Sequence, residues 1–245
     1  MLNAVPEATI EAARIDMAVV LRLAARFDLH EGIDNHFSYS CGDGTFLLNR
    51  WGVHWSRMKR RDILRVDSQG DILTGSGSIE RTAFMIHEAF HRLCPKAIAV
   101  FHTHMPYTTA IACTHPGRIE PISQNALRYY GAIAYEDAYD GLANDREEGE
   151  RLARGAGDKF IVMLKNHGVM VCGPTIGVAF NDLYFLERTA KVQVLAKASG
   201  GELALIPHDV AQKTADQIGE IDEDKETHFQ VLKDMVLEEN PETVD

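Results

Sequence analysis

The 245-residue chain carries 25 lysines and arginines against 36 aspartates and glutamates, a net charge of −11. It therefore lacks the basic face that sequence-independent nucleic-acid binding or attachment to an anionic membrane requires. An apolar fraction of 45%, no apolar run near the roughly 20 residues of a membrane span, and four scattered cysteines without a CxxC pair (Cys41, Cys94, Cys113, Cys172) lead us to expect a soluble cytoplasmic protein with reduced thiols. Met1–Glu7 has neither the basic start nor the apolar stretch of a secretory leader.

Residues 7–28 predict an amphipathic helix, with Ile10, Ala13, Met17, Val20, Leu21, Ala24 and Phe27 at helical spacing and Glu7 and Glu11 near its start. Residues 34–40 and 45–49 read as a hairpin across Cys41-Gly42-Asp43-Gly44. An aromatic loop, Trp51–Ser56, whose Trp51, Val53 and Trp55 would form an exposed apolar rim on a lone protomer, and a second hairpin, 63–67 with 71–73, follow. Between them lies the one basic cluster, Arg57, Lys59, Arg60 and Arg61, which reads as a solvated run, with anion contact as the alternative. The loop Thr74–Ser78 serves as a connector or as an amide cradle for an anion, but no GK[ST] or GxGxxG accompanies it.

A helix is predicted over 79–93, ending before Pro95, then a buried strand over 97–101. Further helices are expected at 107–113, 123–130, 144–156, 176–198, 208–219 and 225–238, and strands at 132–135, 160–164 and 168–173. The chain from Glu220 is an acidic, sparsely apolar tail. No repeat or linker divides it, so the economical reading is one α/β domain spanning 1–245, with a mixed sheet covered by helices.

The strand Ala97–Phe101 leads into His102-Thr103-His104. Residues i and i+2 of a strand share a face, so both imidazoles can reach one ion. His167 also follows an apolar run, where a side chain reaches the rim of a sheet. Three histidines with an open position form a catalytic rather than a structural metal pattern. His87 and His91, four apart on a helix, share a face. His87 reads as a packed residue that orients a ligand rather than as a ligand itself.

Phe101-His102-Thr103-His104, with Arg92 and Pro95 before it and Asn166-His167-Gly168 after it, resembles the class II aldolase/adducin family over residues 10–215. The resemblance implies a three-layer α/β/α fold with a central, largely antiparallel sheet. It also implies a homotetramer with active sites between subunits. A divalent metal, most suitably Zn2+ with Mn2+ or Fe2+ as alternatives, would be held by His102, His104 and His167. The reaction implied is carbon–carbon cleavage of a small, anionic substrate, by retro-aldol cleavage or decarboxylation, through a metal-stabilised enolate. An epimerase or dehydratase on the same site, or a non-catalytic adducin-like interaction module, is the alternative.

The sequence departs from the sugar-phosphate aldolases of that family. The metal-binding glutamate that precedes the histidine matching His87 by four residues is Ala83 here, which leaves Glu80 as the candidate catalytic carboxylate. Two phosphate-binding serines fall at Arg81 and Thr82, and Arg81 suits a carboxylate instead. The tyrosine acid falls near Ser123, with Tyr130 close by as the candidate for that role. Asn35 and Ser38 match a substrate-loop segment. Loss of the glutamate disfavours the aldol reaction more, since decarboxylation needs no base to deprotonate a hydroxyl.

Overall fold

A computed structural model describes residues 5–142, 145–221 and 223–245. Met1–Ala4, read above as lacking a leader, and Asn144, the expected start of one helix, lie outside the described residues. Helices α1 (Glu7–Arg26), α2 (Arg81–Leu93), α3 (Pro106–Ala112), α4 (Arg146–Ala156), α5 (Ile176–Ala198), α6 (His208–Gly219) and α7 (Glu223–Glu239) accompany strands β1 (His36–Ser40), β2 (Phe46–Asn49), β3 (Ile63–Val66), β4 (Ile72–Thr74), β5 (Ala99–Thr103), β6 (Ile133–Glu136), β7 (Ile161–Leu164) and β8 (Gly168–Gly173). The strands form one sheet in the order β4-β3-β2-β1-β5-β8-β7-β6. Only β6 and β7 run parallel; the other neighbours are antiparallel.

The pleat sorts the strand residues into two layers. Phe37, Leu47, Ala99, Phe101, Met163, Val169 and Val171 join α1, α3, α5 and α7 in the larger core. Val100, Val162, Leu164, Met170 and Cys172 pack with α2 and α4 on the other side. Phe46, Leu48, Leu64 and Val66 extend that side beneath Phe84 of α2. The fold is thus the expected three-layer α/β/α arrangement. His36, Ser38 and His102 alternate with Phe37 and Phe101 and lie on the α2 side.

Local chemistry sets the element ends. The Glu80 carboxylate accepts a hydrogen bond from the Ala83 N–H at 2.7 Å, so α2 starts at Arg81, not at Ile79. Helix α1 stops at Arg26, two residues short of expectation, because Asp28 turns left-handed at φ 59°. The segment expected as a helix over 123–130 is a 3-10 turn, Gln124–Tyr129. Glu187, buried on α5, accepts hydrogen bonds from the N–H groups of Tyr107 and Thr108 at 2.8 and 2.9 Å and so caps the short α3.

Two expectations change. Trp55, expected at an apolar rim, is fully buried, edge-on to Phe37 and stacked on His30. The acidic C-terminal segment does not trail away: α7 buries Phe229 and Val236 in the larger core, and Lys233 pairs with Asp16. Two residues of the basic cluster pair within the chain, while Arg57 and Arg61 are exposed. Arg60 pairs with Glu11 at 2.6 Å and Lys59 with Asp245 at 3.3 Å.

Helices α2 and α4 approach so closely that a Cβ added at Gly149 would sit 2.5 Å from the carbonyl oxygen of Met85. Gly149→Ala should therefore destabilise the fold by roughly 1–3 kcal/mol, although alanine is the better helix former by about 1 kcal/mol. Urea denaturation checks this, and an unchanged or raised midpoint would contradict the close packing.

Candidate metal centre

Strand β5 carries His102 at its buried end and delivers His104 just beyond it. The third histidine comes from the turn between β7 and β8. There Asn166 adopts φ 55°, a left-handed conformation that asparagine tolerates, and the His167 N–H donates to Leu164 O at 3.2 Å. Gly168 lets the two strand ends meet: a Cβ there would lie 2.5 Å from Thr103 O and 2.7 Å from His104 Cδ2. One side-chain nitrogen from each of His102, His104 and His167 lies within 4.8 Å of the others.

The hydrogen bonds fix which nitrogens face inward. His102 Nδ1 lies 3.1 Å from Val169 O, and a carbonyl oxygen only accepts, so Nδ1 carries the proton. His104 Nδ1 donates to Glu31 Oε2 at 2.6 Å. With both rings neutral, as metal ligands must be, both Nε2 atoms are bare and face each other at 3.0 Å. Two lone pairs in that relation repel unless a cation lies between them. Nitrogens bonded to one tetrahedral zinc would stand about 3.3 Å apart. The donor set, three imidazoles with two of them oriented by outer hydrogen bonds, fits a divalent metal. Burial, then the neighbouring histidines, holds His102 well below the usual imidazole range. Burial, then His104, holds His167 down at about 4. Both are therefore neutral at physiological pH, as a ligand must be.

The triad opens into a cavity of about 790 Å³ that is also lined by Asp34, His36, Trp51, Ser78, Glu80, Arg81, Tyr139 and Asn166. Burial raises the Glu80 carboxyl, but hydrogen bonds from Thr82 and the Ala83 N–H, with His36 nearby, outweigh it and hold the group below its ordinary value. Oε2 takes both the Thr82 hydroxyl and the Ala83 N–H. Ala83 itself is buried.

The remaining expected site residues divide. Arg81 lines the cavity. Asn35 is buried, and its Oδ1 accepts from the N–H groups of Glu31 and His104 at 3.0 and 3.4 Å, so it ties the Glu31 turn to the end of β5. Ser38, expected to meet substrate, is fully buried between His87 and His91. Tyr130 is not brought to this cavity; it lines another and lies 2.8 Å from His208 Nδ1. Sequence reasoning missed Glu31 and the adjacency of His36, whose ring lies 4.8 Å from that of His102. The i, i+2 pair His36 and Ser38 was the only available signal, and it needed the β1–β5 register to mean anything.

The sequence profile of the Class II Aldolase and Adducin N-terminal domain matches residues 15–194. A protein of Pseudomonas aeruginosa named for aldolase class 2 is 32% identical over 207 residues, covering 84% of this chain and 79% of its own. The decarboxylase NovR of Streptomyces niveus is 30% identical over 176 residues, covering 71% of this chain and 64% of its own. The chain superposes on the crystal structure of an aldolase II superfamily protein from Pseudomonas syringae with a TM-score of 0.90, at 29% identity, covering 96% of each chain.

Burial holds His91 down at about 4, against a partial rise from its bond to Ala97 O. The unfolded chain takes up this proton near 6.5, so between about 6.5 and 4 the unfolded state binds more protons than the folded one. The stability from neutral His91 is therefore full above that window and lost as pH falls through it. His91→Asn should be less stable at pH 7, yet lose about 2 kcal/mol less than wild type between pH 7 and pH 5. Urea titrations of the metal-free proteins at both pH values measure this, and equal losses would contradict it.

Proposed function

Because the chain belongs to the class II aldolase and adducin family, we propose that it is a divalent-metal-dependent lyase that breaks a carbon–carbon bond beside a carbonyl group, by decarboxylation ahead of retro-aldol cleavage. The observation that carries this reading is the pair of bare Nε2 atoms of His102 and His104, facing each other beside His167 at the base of a large cavity. An ion bound there, zinc by preference with manganese or iron as alternatives, would supply Lewis-acid charge opposite the electrons released as the bond breaks.

The chain's own residues supply the rest. Arg81 offers a planar guanidinium at the cavity wall, suited to a substrate carboxylate. Glu80 offers a carboxylate at the cavity wall, held in its ionised form, which can accept a proton or a hydroxyl hydrogen bond. Retro-aldol cleavage requires a base on the substrate hydroxyl. Family aldolases are expected to carry that base where this chain has the buried Ala83. Decarboxylation removes this demand, and one relative bears the name decarboxylase.

Trp51, Tyr139 and Leu142 stand 47%, 50% and 73% exposed, and Trp51, Tyr139 and Leu142 all line the cavity. An apolar mouth of this kind is suited to burial against another copy, in a homotetramer with active sites at its interfaces. Tyr130, remote from its own cavity, would then serve as the acid in the cavity of an adjacent copy.

Purified protein should carry one divalent ion per chain. His102→Ala should lose the ion while keeping its helical content, and only the metal-loaded wild type should release CO2 from a panel of β-keto and aromatic hydroxy acids. A metal-free wild type whose His102→Ala variant assembles normally would instead favour the interaction-module reading. Light scattering at micromolar concentration should return a tetrameric mass, and a monomer would contradict the shared-interface assignment.

A further inference from the structure

Three histidines and a serine behind the triad form one continuous hydrogen-bonded chain, and its direction is set at one end. His91 Nδ1 lies 3.1 Å from Ala97 O. The carbonyl only accepts, so His91 carries its proton on Nδ1 and its Nε2 is an acceptor. Ser38 Oγ, 2.7 Å from that Nε2, must donate to it. Having spent its single proton, Ser38 accepts from His87 Nδ1, the next contact. His87 Nε2 is then bare and takes the Nδ1–H of His36 at 2.7 Å. The chain ends on His36 Nε2, which has no hydrogen-bond partner among the described residues, on a side chain that lines the cavity. Ser38, His87 and His91 are held in place by β1 and α2, and Ser38 and His87 are fully buried.

This arrangement resembles the orientation of His102 by Val169 O: an anchoring carbonyl selects the tautomer and so decides what the opposite nitrogen offers. It differs in reach, since the carbonyl acts through three intervening side chains. Metal ligation does not account for it, because His36 is not part of the three-nitrogen cluster. Packing does not require it either, because an apolar residue opposite His102 would fill the same strand position without burying polar groups.

We propose that His36 is a specificity-determining residue, whose bare Nε2, locked toward the cavity by His87, Ser38 and His91, accepts a hydrogen bond from a substrate hydroxyl one carbon away from the carbonyl engaged at the triad. The proposal rests on the reading of the triad as a metal site. It adds the residue that reads a hydroxyl beside that carbonyl. Ser38 and His91 are positioning residues that act through His87. The ring of His36 lies 4.8 Å from that of His102, and both line the same cavity.

Two small chelators separate the possibilities. Glycolohydroxamate and acetohydroxamate both bind metal through the hydroxamate, and only the first carries the neighbouring hydroxyl. By titration calorimetry, zinc-loaded wild type should prefer glycolohydroxamate by about five- to tenfold, the worth of one hydrogen bond. The preference should vanish in His36→Phe, shrink in Ser38→Ala and return in Ser38→Thr, with acetohydroxamate as the reference within each protein. Nitrogen-15 histidine spectra of the zinc-loaded wild type should show His36, His87 and His91 all protonated on Nδ1, and Ser38→Ala should let His87 and His36 exchange tautomers. Equal affinities in wild type, a preference that survives His36→Phe, or an Nε2-protonated His36 would overturn the proposal. If neither chelator binds zinc-loaded wild type, the metal reading fails and the proposal falls with it.

Discussion

Two neutral imidazoles whose bare nitrogens stand 3.0 Å apart repel each other, and bonds on their far sides hold His102 and His104 so that their Nε2 atoms meet at that distance. Val169 O belongs to the strand paired with β5, so the sheet itself selects the His102 tautomer. Glu31 and Asn35, on the loop leading into β1, tie down His104 by its ring and its N–H. Gly168 leaves room for the ring beside the turn that presents His167. Each support comes from a different segment, so the fold is needed before the three nitrogens converge, and the repulsion among them is what a divalent ion would relieve.

The polar region beneath the cavity is large for a protein interior. His36, Ser38, His87 and His102 are all buried between the sheet and α2. Buried polar groups are tolerated when each has a partner, and costly when one is left without. Here the partners run in one line from Ala97 O to His36, and the line ends where the cavity begins. On the opposite face of the same strands, Phe37 and Phe101 stack at 4.0 Å within the larger core. The central strand pair β1–β5 is therefore apolar on one face and an imidazole array on the other, joined by the register that sets His36 against His102.

Most elements were legible in the sequence because apolar periodicity reports which face is buried. The strands at 168–173 and the helices at 176–198 and 208–219 match the structure residue for residue. That the three histidines converge was legible because each follows an apolar strand, which places it at a sheet rim. What lay hidden depends on contacts between distant segments. Glu31 lies 73 positions from His104, and the β1–β5 register sets His36 against His102, 66 positions away. Ser38 looked like a substrate residue because a strand pattern cannot say what covers its polar face, and here α2 does. Trp55 looked like part of a rim because aromatic loops read as exposed until a core is found beneath them. The acidic tail looked unpacked because Phe229 and Val236, far apart along α7, are few but suffice to dock it.

The central claim, that His102, His104 and His167 together hold one ion, is most directly tested by X-ray absorption on zinc-loaded protein. Three imidazole nitrogens at about 2.0–2.1 Å are expected, with one fewer in His167→Ala. A coordination shell without imidazole scattering, or one unchanged by that substitution, would contradict the claim.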